Sequence, residues 1–186
     1  MINAPENPKG PALGGPAPYF ETTIGNEIVT SDDFKGGWTI VFSHPGDLMP
    51  VFKTRTINYI LCKRRTKVVA LGDGRPAGAA TGRNIIKKYI LKHSLSVIDD
   101  PDKKIAESYG LTDGDGASDE EAKGIFVIDP LGILRIKLYF PLAAERNFYE
   151  ILKLVDALQD ADKQRNKKQK GAVGRVESPG PAGPSH

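Results

Sequence analysis

Short apolar runs, separated by polar and glycine-containing segments, recur through the middle of this chain. Residues 38–44, "WTIVFSH", and 67–72, "KVVALG", are mostly apolar and have the length of buried strands. Between them, apolar residues recur at helical spacing, at Phe52, Ile57, Ile60 and Leu61. Two strands joined by a crossover helix run parallel, so this stretch predicts a parallel strand–helix–strand unit.

Further elements are predicted on either side of this unit. Residues 26–34, "NEIVTSDDF", indicate a short strand and then a helix cap at Ser31 or Asp32. Residues 83–93 indicate a helix, and "LSVIDD" at 95–100 indicates a short strand. Another helix is expected to begin at Pro101 and to end at Gly110, in agreement with the usual start and stop residues of helices.

The clearest turn lies in "GIFVIDPLGILRIKLYF", residues 124–140. Two runs of β-forming residues flank Asp129–Gly132, which predicts an antiparallel hairpin. Behind the hairpin, "ERNFYEILKLVDALQDAD" at 145–162 has the apolar spacing of an amphipathic helix. Strands that alternate with helices in this way predict a three-layer α/β sandwich, with helices on both faces of the sheet.

The composition divides the 186 residues into three parts. Residues 1–18 are rich in proline and glycine and predict a flexible N-terminal arm. Residues 19–162 contain the periodic elements and predict one domain of ordinary size. Residues 163–186 begin with the basic run "KQRNKKQK" and end in a Gly/Pro-rich segment, which predicts a disordered tail.

The charge and the cysteine content narrow the class of protein. The net charge is only +3, and a single cysteine, Cys62, excludes both an intrachain disulfide and a multi-cysteine metal site. No basic-then-apolar leader opens the sequence, and no run reaches the roughly 18 apolar residues that span a bilayer. We expect a cytoplasmic protein without a membrane segment, a metal or a cofactor.

Two quoted stretches together carry a family resemblance. "FSHPGDLMPV" at 42–51 and "GIFVIDPLGILRIKLYFPLAAERNFYEILKLVDAL" at 124–158 resemble the peroxiredoxins of the AhpC/TSA family, closest to the one-cysteine branch. The similarity is collinear over most of the chain. The loop keeps the residues typical of the family at Ser43, His44, Pro45, Asp47, Pro50 and Val51. The resemblance implies a thioredoxin-like sandwich with a central mixed sheet, and it implies antioxidant chemistry of the redoxin type.

The residues that perform this chemistry in the family are substituted here. Peroxiredoxins use a cysteine thiolate, a threonine that orients the peroxide, an arginine that stabilises the thiolate, and a proline that shields the site. The resemblance places Phe52 at the cysteine, Met49 at the threonine and Lys123 at the arginine, and only Pro45 is retained. Phenylalanine cannot act as a nucleophile, and lysine lacks the planar fork of guanidinium. The resemblance therefore predicts a pseudoenzyme with a degenerate peroxidatic site.

Cys62 leaves a second function open. It lies ten residues after Phe52, near the end of the same predicted helix, and it could serve as the redox thiol of an unorthodox antioxidant oxidoreductase. Free cysteines mostly behave as small hydrophobic residues, so we favour a partly buried structural role.

Basic residues form two segments that could bind a polyanion, as in a nucleic-acid-binding or ribosome-associated protein. They are Lys63, Arg64, Arg65 and Lys67 in the first segment and Lys163, Arg165, Lys167, Lys168 and Lys170 in the second. No aromatic residue is interleaved with them for base stacking, and a solvated surface is the simpler interpretation. Nucleic-acid binding is therefore the minor alternative.

The interpretation that we favour is a binding or assembly module. An intact scaffold around a replaced nucleophile motivates it, and its protein partner cannot be named from the sequence. We expect a homodimer or higher oligomer, formed through the predicted strand "ILRIKLYF" at the edge of the sheet. Arg135 and Lys137 on this strand would protect the edge from promiscuous pairing.

Overall fold

The computed structural model describes residues 10–24, 27–43, 55–72, 95–111, 123–141, 143 and 145–173. The predicted helix at 83–93 lies outside the described residues. The described strands are β1 (Glu21–Ile24), β2 (Glu27–Thr30), β3 (Trp38–Ser43), β4 (Thr66–Gly72), β5 (Leu95–Asp99), β6 (Lys123–Ile128) and β7 (Leu134–Phe140). The described helices are α1 (Arg55–Lys63), α2 (Lys104–Ser108), α3 (Phe148–Val173) and a 3-10 helix (Ser31–Phe34).

A mixed five-stranded sheet has the order β5-β4-β3-β6-β7, and β1 and β2 form a separate hairpin. Strand β3 runs parallel to β4, with Trp38 opposite Thr66 and Ser43 opposite Leu71, and β5 continues the parallel part. Strands β6 and β7 are antiparallel. The predicted parallel unit and the predicted hairpin are both confirmed, and β7 is an edge strand of the described sheet.

Strand β3 lies at the centre of the sheet, and all six of its residues are buried. Successive side chains of a strand point to opposite faces, so Val41 faces one side while Ile40 and Phe42 face the other. The Val41 side of the sheet packs into one hydrophobic cluster. The cluster consists of Phe20, Val41, Val69, Leu71, Ile98, Ile105, Tyr109, Leu111, Phe126, Ile128 and Leu134.

Asp129 organises the turn between β6 and β7. Its Oδ1 accepts hydrogen bonds from the amides of Leu131 (2.9 Å) and Ile133 (3.0 Å). Its Oδ2 lies 3.1 Å from Nη1 of Arg135, a pair that is mostly shielded from solvent. Gly132 has a φ of +83°, a conformation that glycine adopts without strain. These contacts fix the hairpin that the sequence predicts.

Two helix starts differ from the predictions because side chains cap them differently. Thr30, rather than Ser31 or Asp32, caps the 3-10 helix, and its amide and hydroxyl donate to Oδ2 of Asp33 at 2.7 and 3.0 Å. These hydrogen bonds hold the pKa of Asp33 below its usual value. Helix α2 begins at Lys104 instead of Pro101. The buried Asp100 carboxylate accepts the amides of Ile105 and Ala106, so the preceding residues form a turn.

The described part of the N-terminal arm runs beside β7. Its backbone exchanges two hydrogen bonds with Leu134, from Gly14 N at 2.8 Å and to Gly15 O at 2.9 Å. Further along the strand, Nζ of Lys137 donates to the Pro11 carbonyl at 3.1 Å. The flexibility expected for residues 1–18, and the domain boundaries at 18 and 162, stay predictions.

Helix α3 forms a unit that is described by itself. Its buried residues recur at helical spacing on one face, at Phe148, Ile151, Leu152 and Val155, as predicted. The helix continues through Val173, whereas the sequence predicts that it ends at Asp162 and that a disordered tail follows. Residues 163–170 are lysine, arginine, glutamine and asparagine, and the first three are good helix formers. A basic composition therefore did not stop the helix.

None of the described helices is both long enough and apolar enough to cross a bilayer.

Candidate functional site

The carboxyl end of β3 is the point from which the loop of the family resemblance begins. Ser43, the last residue of β3, is buried, and its Oγ accepts a hydrogen bond of 2.9 Å from the amide of Gly124. The antiparallel pairing of β3 with β6, in which Phe42 lies opposite Ile125, brings Gly124 to this end of the sheet. The start of β6 is thereby fixed against the end of β3.

Gly124 is needed for this close approach. A Cβ atom at this position would meet Cδ2 of Leu111 and would lie 2.7 Å from Cε2 of Phe126, much closer than real side chains come. Any larger residue would have to displace the buried side chains of Leu111 and Phe126. Because Gly124 is held here, the preceding residue of β6, Lys123, also lies at this end of the sheet.

Lys123 is the first residue of β6 and is buried, with 9% of its surface exposed. A lysine is almost never this buried unless its charge has partners. The sequence predicts Lys123 as a member of the degenerate site, and the structure places it at the Ser43 end of the sheet. The other predicted members, Pro45, Met49 and Phe52, lie outside the described residues.

Arg146 is a second buried cation at this end of the sheet. Its side chain is 8% exposed, and its Nη1 donates a hydrogen bond of 2.7 Å to the carbonyl of Ser43. Its guanidinium carbon lies 6.0 Å from the centroid of the Phe42 ring, within the range of a cation–π contact. Ser43 thus receives a hydrogen bond on its side chain from β6 and another on its carbonyl from Arg146.

The sequence analysis did not single out Arg146, although one signal was present. Arg146 comes two positions before the last helix, where the helix dipole makes a cation unfavourable. A cation in that position has to be held by another contact, which here is the Ser43 carbonyl. The separation of 103 residues between the two positions hides this contact from local sequence patterns.

Two buried cations, Lys123 and Arg146, determine the chemistry that is available at the Ser43 end of β3. Lysine and arginine side chains can bind an anion or polarise an oxygen atom, but neither forms a covalent peroxidatic intermediate. The hydroxyl of Ser43 is buried, and its Oγ accepts the Gly124 amide. The chain has no cysteine besides Cys62.

Cys62 lies at the opposite end of the sheet. It lines a surface cavity with Gly37 and Thr66, which adjoin the first β3–β4 pair, whereas Ser43 and Leu71 form the last pair. The six residues of β3 separate the two ends by about 16 Å. The expectation of a partly buried Cys62 is wrong, because its side chain is exposed.

The predicted polyanion-binding residues are mostly accessible. Lys63 and Arg65 are exposed, while Arg64 and Lys67 are half-buried. On α3, the exposed residues of the second basic segment are Lys163, Arg165, Lys167 and Lys168, and the side chain of Lys170 lies outside the described residues. The cavity beside Cys62 adds Lys35, a cation that the sequence analysis did not connect with the first segment.

A mixed sheet that combines a parallel strand–helix–strand unit with an antiparallel hairpin defines the thioredoxin-like α/β class. Residues 13–137 match the model of the AhpC/TSA family. A peroxiredoxin of Aquifex aeolicus is 37% identical over 162 residues, which cover 83% of this chain and 72% of the relative. Peroxiredoxin 2 of Caldanaerobacter subterraneus subsp. tengcongensis is 34% identical over 161 residues, covering 83% of this chain and 73% of the relative. The chain therefore belongs to the AhpC/TSA family.

Solved structures agree with the fold. A yeast mitochondrial 1-Cys peroxiredoxin superposes with a TM-score of 0.64 at 23% identity, covering 82% of this chain and 78% of that one. A 2-Cys peroxiredoxin of Plasmodium vivax superposes with a TM-score of 0.58 at 19% identity, covering 81% and 98%. The expected thioredoxin-like α/β fold is confirmed.

Proposed function

We propose that this member of the AhpC/TSA family lacks thiol-peroxidase activity and serves as a binding or assembly module. Reduction of a hydroperoxide requires a thiolate that attacks the peroxide oxygen and becomes a sulfenic acid. The sequence has Phe52 where the family resemblance expects this thiol. A benzyl side chain has no lone pair with which to attack oxygen. The first step of the reaction therefore has no nucleophile at this position.

The position of Cys62 is the observation that carries the proposal. A displaced thiol could replace the missing one only if it reached the loop that follows Ser43. Cys62 instead lies at the other end of β3, about 16 Å along the strand, on the last turn of α1. The Cys62 side chain is too short to reach from there to the Ser43 end of β3. The scaffold therefore supports binding better than peroxide reduction.

The buried cations at the strand end support a binding role. Lys123 and Arg146 keep positive charge at the start of the former active-site loop, where no cysteine exists for them to stabilise. A buried cation costs desolvation free energy unless partners satisfy it, and Arg146 has the Ser43 carbonyl as one such partner. In this proposal, the cations hold the end of β3 in place as part of a rigid scaffold.

Edge strand β7 is the surface that we propose for assembly. Within the described residues, the backbone hydrogen bonds between the arm and this strand end at Leu134, and Arg135–Phe140 continues the edge. A second copy can add its own β7 there by antiparallel pairing, which gives a two-fold symmetric dimer. The charges of Arg135 and Lys137 disfavour pairing with unrelated strands.

Light scattering on the purified protein tests the assembly part of the proposal. We expect the mass of a dimer or a larger homo-oligomer at micromolar concentration. Substituting proline for Lys137 and for Leu138, in two separate variants, should break the assembly in at least one variant, because adjacent residues of a strand direct their N–H groups to opposite sides. A monomer at high concentration would count against the assembly.

An antioxidant oxidoreductase that works through Cys62 is the second candidate, and the exposure of this thiol favours it. An accessible thiolate can attack hydrogen peroxide, giving a sulfenic acid and hydroxide. Mass spectrometry after brief exposure to one equivalent of peroxide tests this candidate. Full conversion of Cys62 to the sulfenic acid within seconds would support it, whereas the slow oxidation typical of an ordinary exposed thiol would not.

The single cysteine is in keeping with a reducing compartment, and we propose the cytoplasm as the location.

A further inference from the structure

A basic cavity lies beside the C-terminal end of α1 and the start of β4. Its volume is about 360 Å³, and it opens to solvent. Three cationic side chains line it: Lys35 from the segment before β3, Arg65 from the α1–β4 turn, and Lys67 from β4. The fold thus brings Lys35 to a basic cluster that lies about thirty residues further along the sequence.

The carboxylates of Asp32 and Asp33 lie near these cations, and their other contacts limit how much of the positive charge they neutralise. Asp32 forms an ion pair of 2.7 Å with Lys35, but both side chains are more than half exposed, and such pairs contribute little. Asp33 directs its Oδ2 to Thr30, while its backbone carbonyl accepts Nζ of Lys67 at 2.7 Å. Among the described residues, these three cations therefore outnumber the two carboxylates by one, and Lys35 can exchange its partner for a stronger anion.

Arg65 reaches the cavity from a backbone conformation that glycine usually takes. Its φ is +50°, and its amide donates to the Cys62 carbonyl at 3.0 Å, which ends α1. The Arg65 carbonyl lies 3.1 Å from the position that a Cβ of Gly37 would occupy, so the two segments pack closely. The conformation makes Arg65→Gly a substitution that removes the guanidinium without straining the turn.

The geometry points to a binding site for the phosphate group of a small molecule, formed by Lys35, Arg65 and Lys67. One guanidinium satisfies a carboxylate, but a phosphate monoester carries a charge close to −2 and three acceptor oxygens, which match several cations. Arg65 supplies planar donors, and the two ammonium groups supply point charges. The site lies at the opposite end of the sheet from Ser43, and it does not depend on the loss of peroxidase activity.

Cys62 provides a built-in reporter, because its exposed thiol lines the same cavity. The experiment measures the rate at which iodoacetamide, a neutral reagent, alkylates Cys62 in the full-length protein. Inorganic pyrophosphate is the probe, titrated at constant ionic strength with potassium chloride as the balancing salt. We expect pyrophosphate to slow the alkylation to a low plateau, with saturable dependence on concentration.

Two matched variants test the assignment to Arg65. Arg65→Gly should raise the half-protecting concentration of pyrophosphate about tenfold or more, the effect of losing one charge-assisted contact. Lys103→Gly is the control, because Lys103 is the other described non-glycine residue with a positive φ, at +55°, and precedes α2 instead of lining the cavity. It should leave the protection unchanged.

The outcomes separate the alternatives. Saturable protection that is lost in Arg65→Gly and kept in Lys103→Gly supports the site. The site is overturned by absence of protection at matched ionic strength, or by equal loss in both variants. A single-stranded RNA oligonucleotide forms a separate arm: if it protects Cys62 and pyrophosphate does not, the cavity binds a nucleic-acid backbone and the small-phosphate assignment is wrong.

Discussion

Nη1 of Arg146 donates a hydrogen bond of 2.7 Å to the carbonyl oxygen of Ser43. The contact joins the last residue of the central strand to the residue that comes two positions before α3. Both side chains are buried, so the hydrogen bond forms in surroundings of low polarity, where a charged donor interacts more strongly than it does in water. This relationship fixes the end of β3, the point from which the loop of the family resemblance begins.

Replacing Arg146 should therefore destabilise the fold. Arg146→Met keeps most of the apolar stem but leaves the buried Ser43 carbonyl without this donor, and we expect a loss of about 2 kcal/mol in the free energy of unfolding. Urea denaturation followed by circular dichroism measures it. Arg165→Met, which removes an exposed arginine of α3, is the control and should change stability by less than about 0.5 kcal/mol. Equal effects of the two substitutions would contradict the structural role of Arg146.

Tyr109 and Tyr139 should respond oppositely to loss of the hydroxyl. The hydroxyl of Tyr109 is buried in the core and has no hydrogen-bond partner among the described residues, whereas that of Tyr139 donates to the Tyr109 carbonyl at 2.8 Å. Tyr109→Phe should leave stability unchanged or raise it by up to about 1 kcal/mol, and Tyr139→Phe should lower it by about 1 kcal/mol. Thermal or urea unfolding of the matched pair checks the order, and a larger loss in Tyr109→Phe would refute it.

The burial of Tyr109 also predicts a pH dependence. Burial raises the pKa of its hydroxyl far above the ordinary value of 10.0. Below pH 10, Tyr109 is protonated in both the folded and the unfolded state; above pH 10, only the unfolded state releases the proton. Ionisation then favours unfolding, by up to about 1.4 kcal/mol for each pH unit. The difference in stability between Tyr109→Phe and the wild type should widen from pH 9 to pH 11, and a constant difference would argue against this burial.

Restoring the nucleophile alone should not restore the enzyme. Phe52→Cys supplies a thiol, but Met49 and Lys123 would still replace the residues that orient the peroxide and stabilise the thiolate in the family. We expect at most feeble peroxidase activity from this variant and a higher rate from the triple variant Met49→Thr, Phe52→Cys, Lys123→Arg. Stopped-flow measurement of peroxide consumption compares them, and rapid turnover by Phe52→Cys alone would show that Met49 and Lys123 do not prevent the reaction.

Local sequence patterns were sufficient for most of the fold. The apolar run of β3, the hairpin around Asp129 and the helical spacing from Phe148 to Val155 each depend on neighbouring residues, which is why they could be recognised. The start of α2 was misplaced by three residues because the Asp100 carboxylate caps amides five and six positions further on. The extension of α3 escapes prediction because a run of Lys, Arg and Gln is compatible both with a disordered tail and with a helix.

The parts of the site that escaped prediction depend on contacts between distant residues. Lys123 was found through the family resemblance, but Arg146 meets Ser43 across 103 residues, and no periodic pattern records such a contact. Lys35 joins Arg65 and Lys67 only because β3 and β4 pair in parallel and bring their first residues together. The exposure of Cys62 likewise depends on which face of α1 is buried, since Ile57 and Leu61 on the same helix are buried and Cys62 is not.

The consumption of hydrogen peroxide by the purified protein tests the central claim most directly. The wild type and Cys62→Ala should be measured side by side, with a thiol reductant in excess and with the Met49→Thr, Phe52→Cys, Lys123→Arg variant as a reference for rescue. We predict that the wild type and Cys62→Ala both consume peroxide at the rate of the reductant alone. Catalytic turnover by the wild type that disappears in Cys62→Ala would contradict the claim and establish a thiol peroxidase.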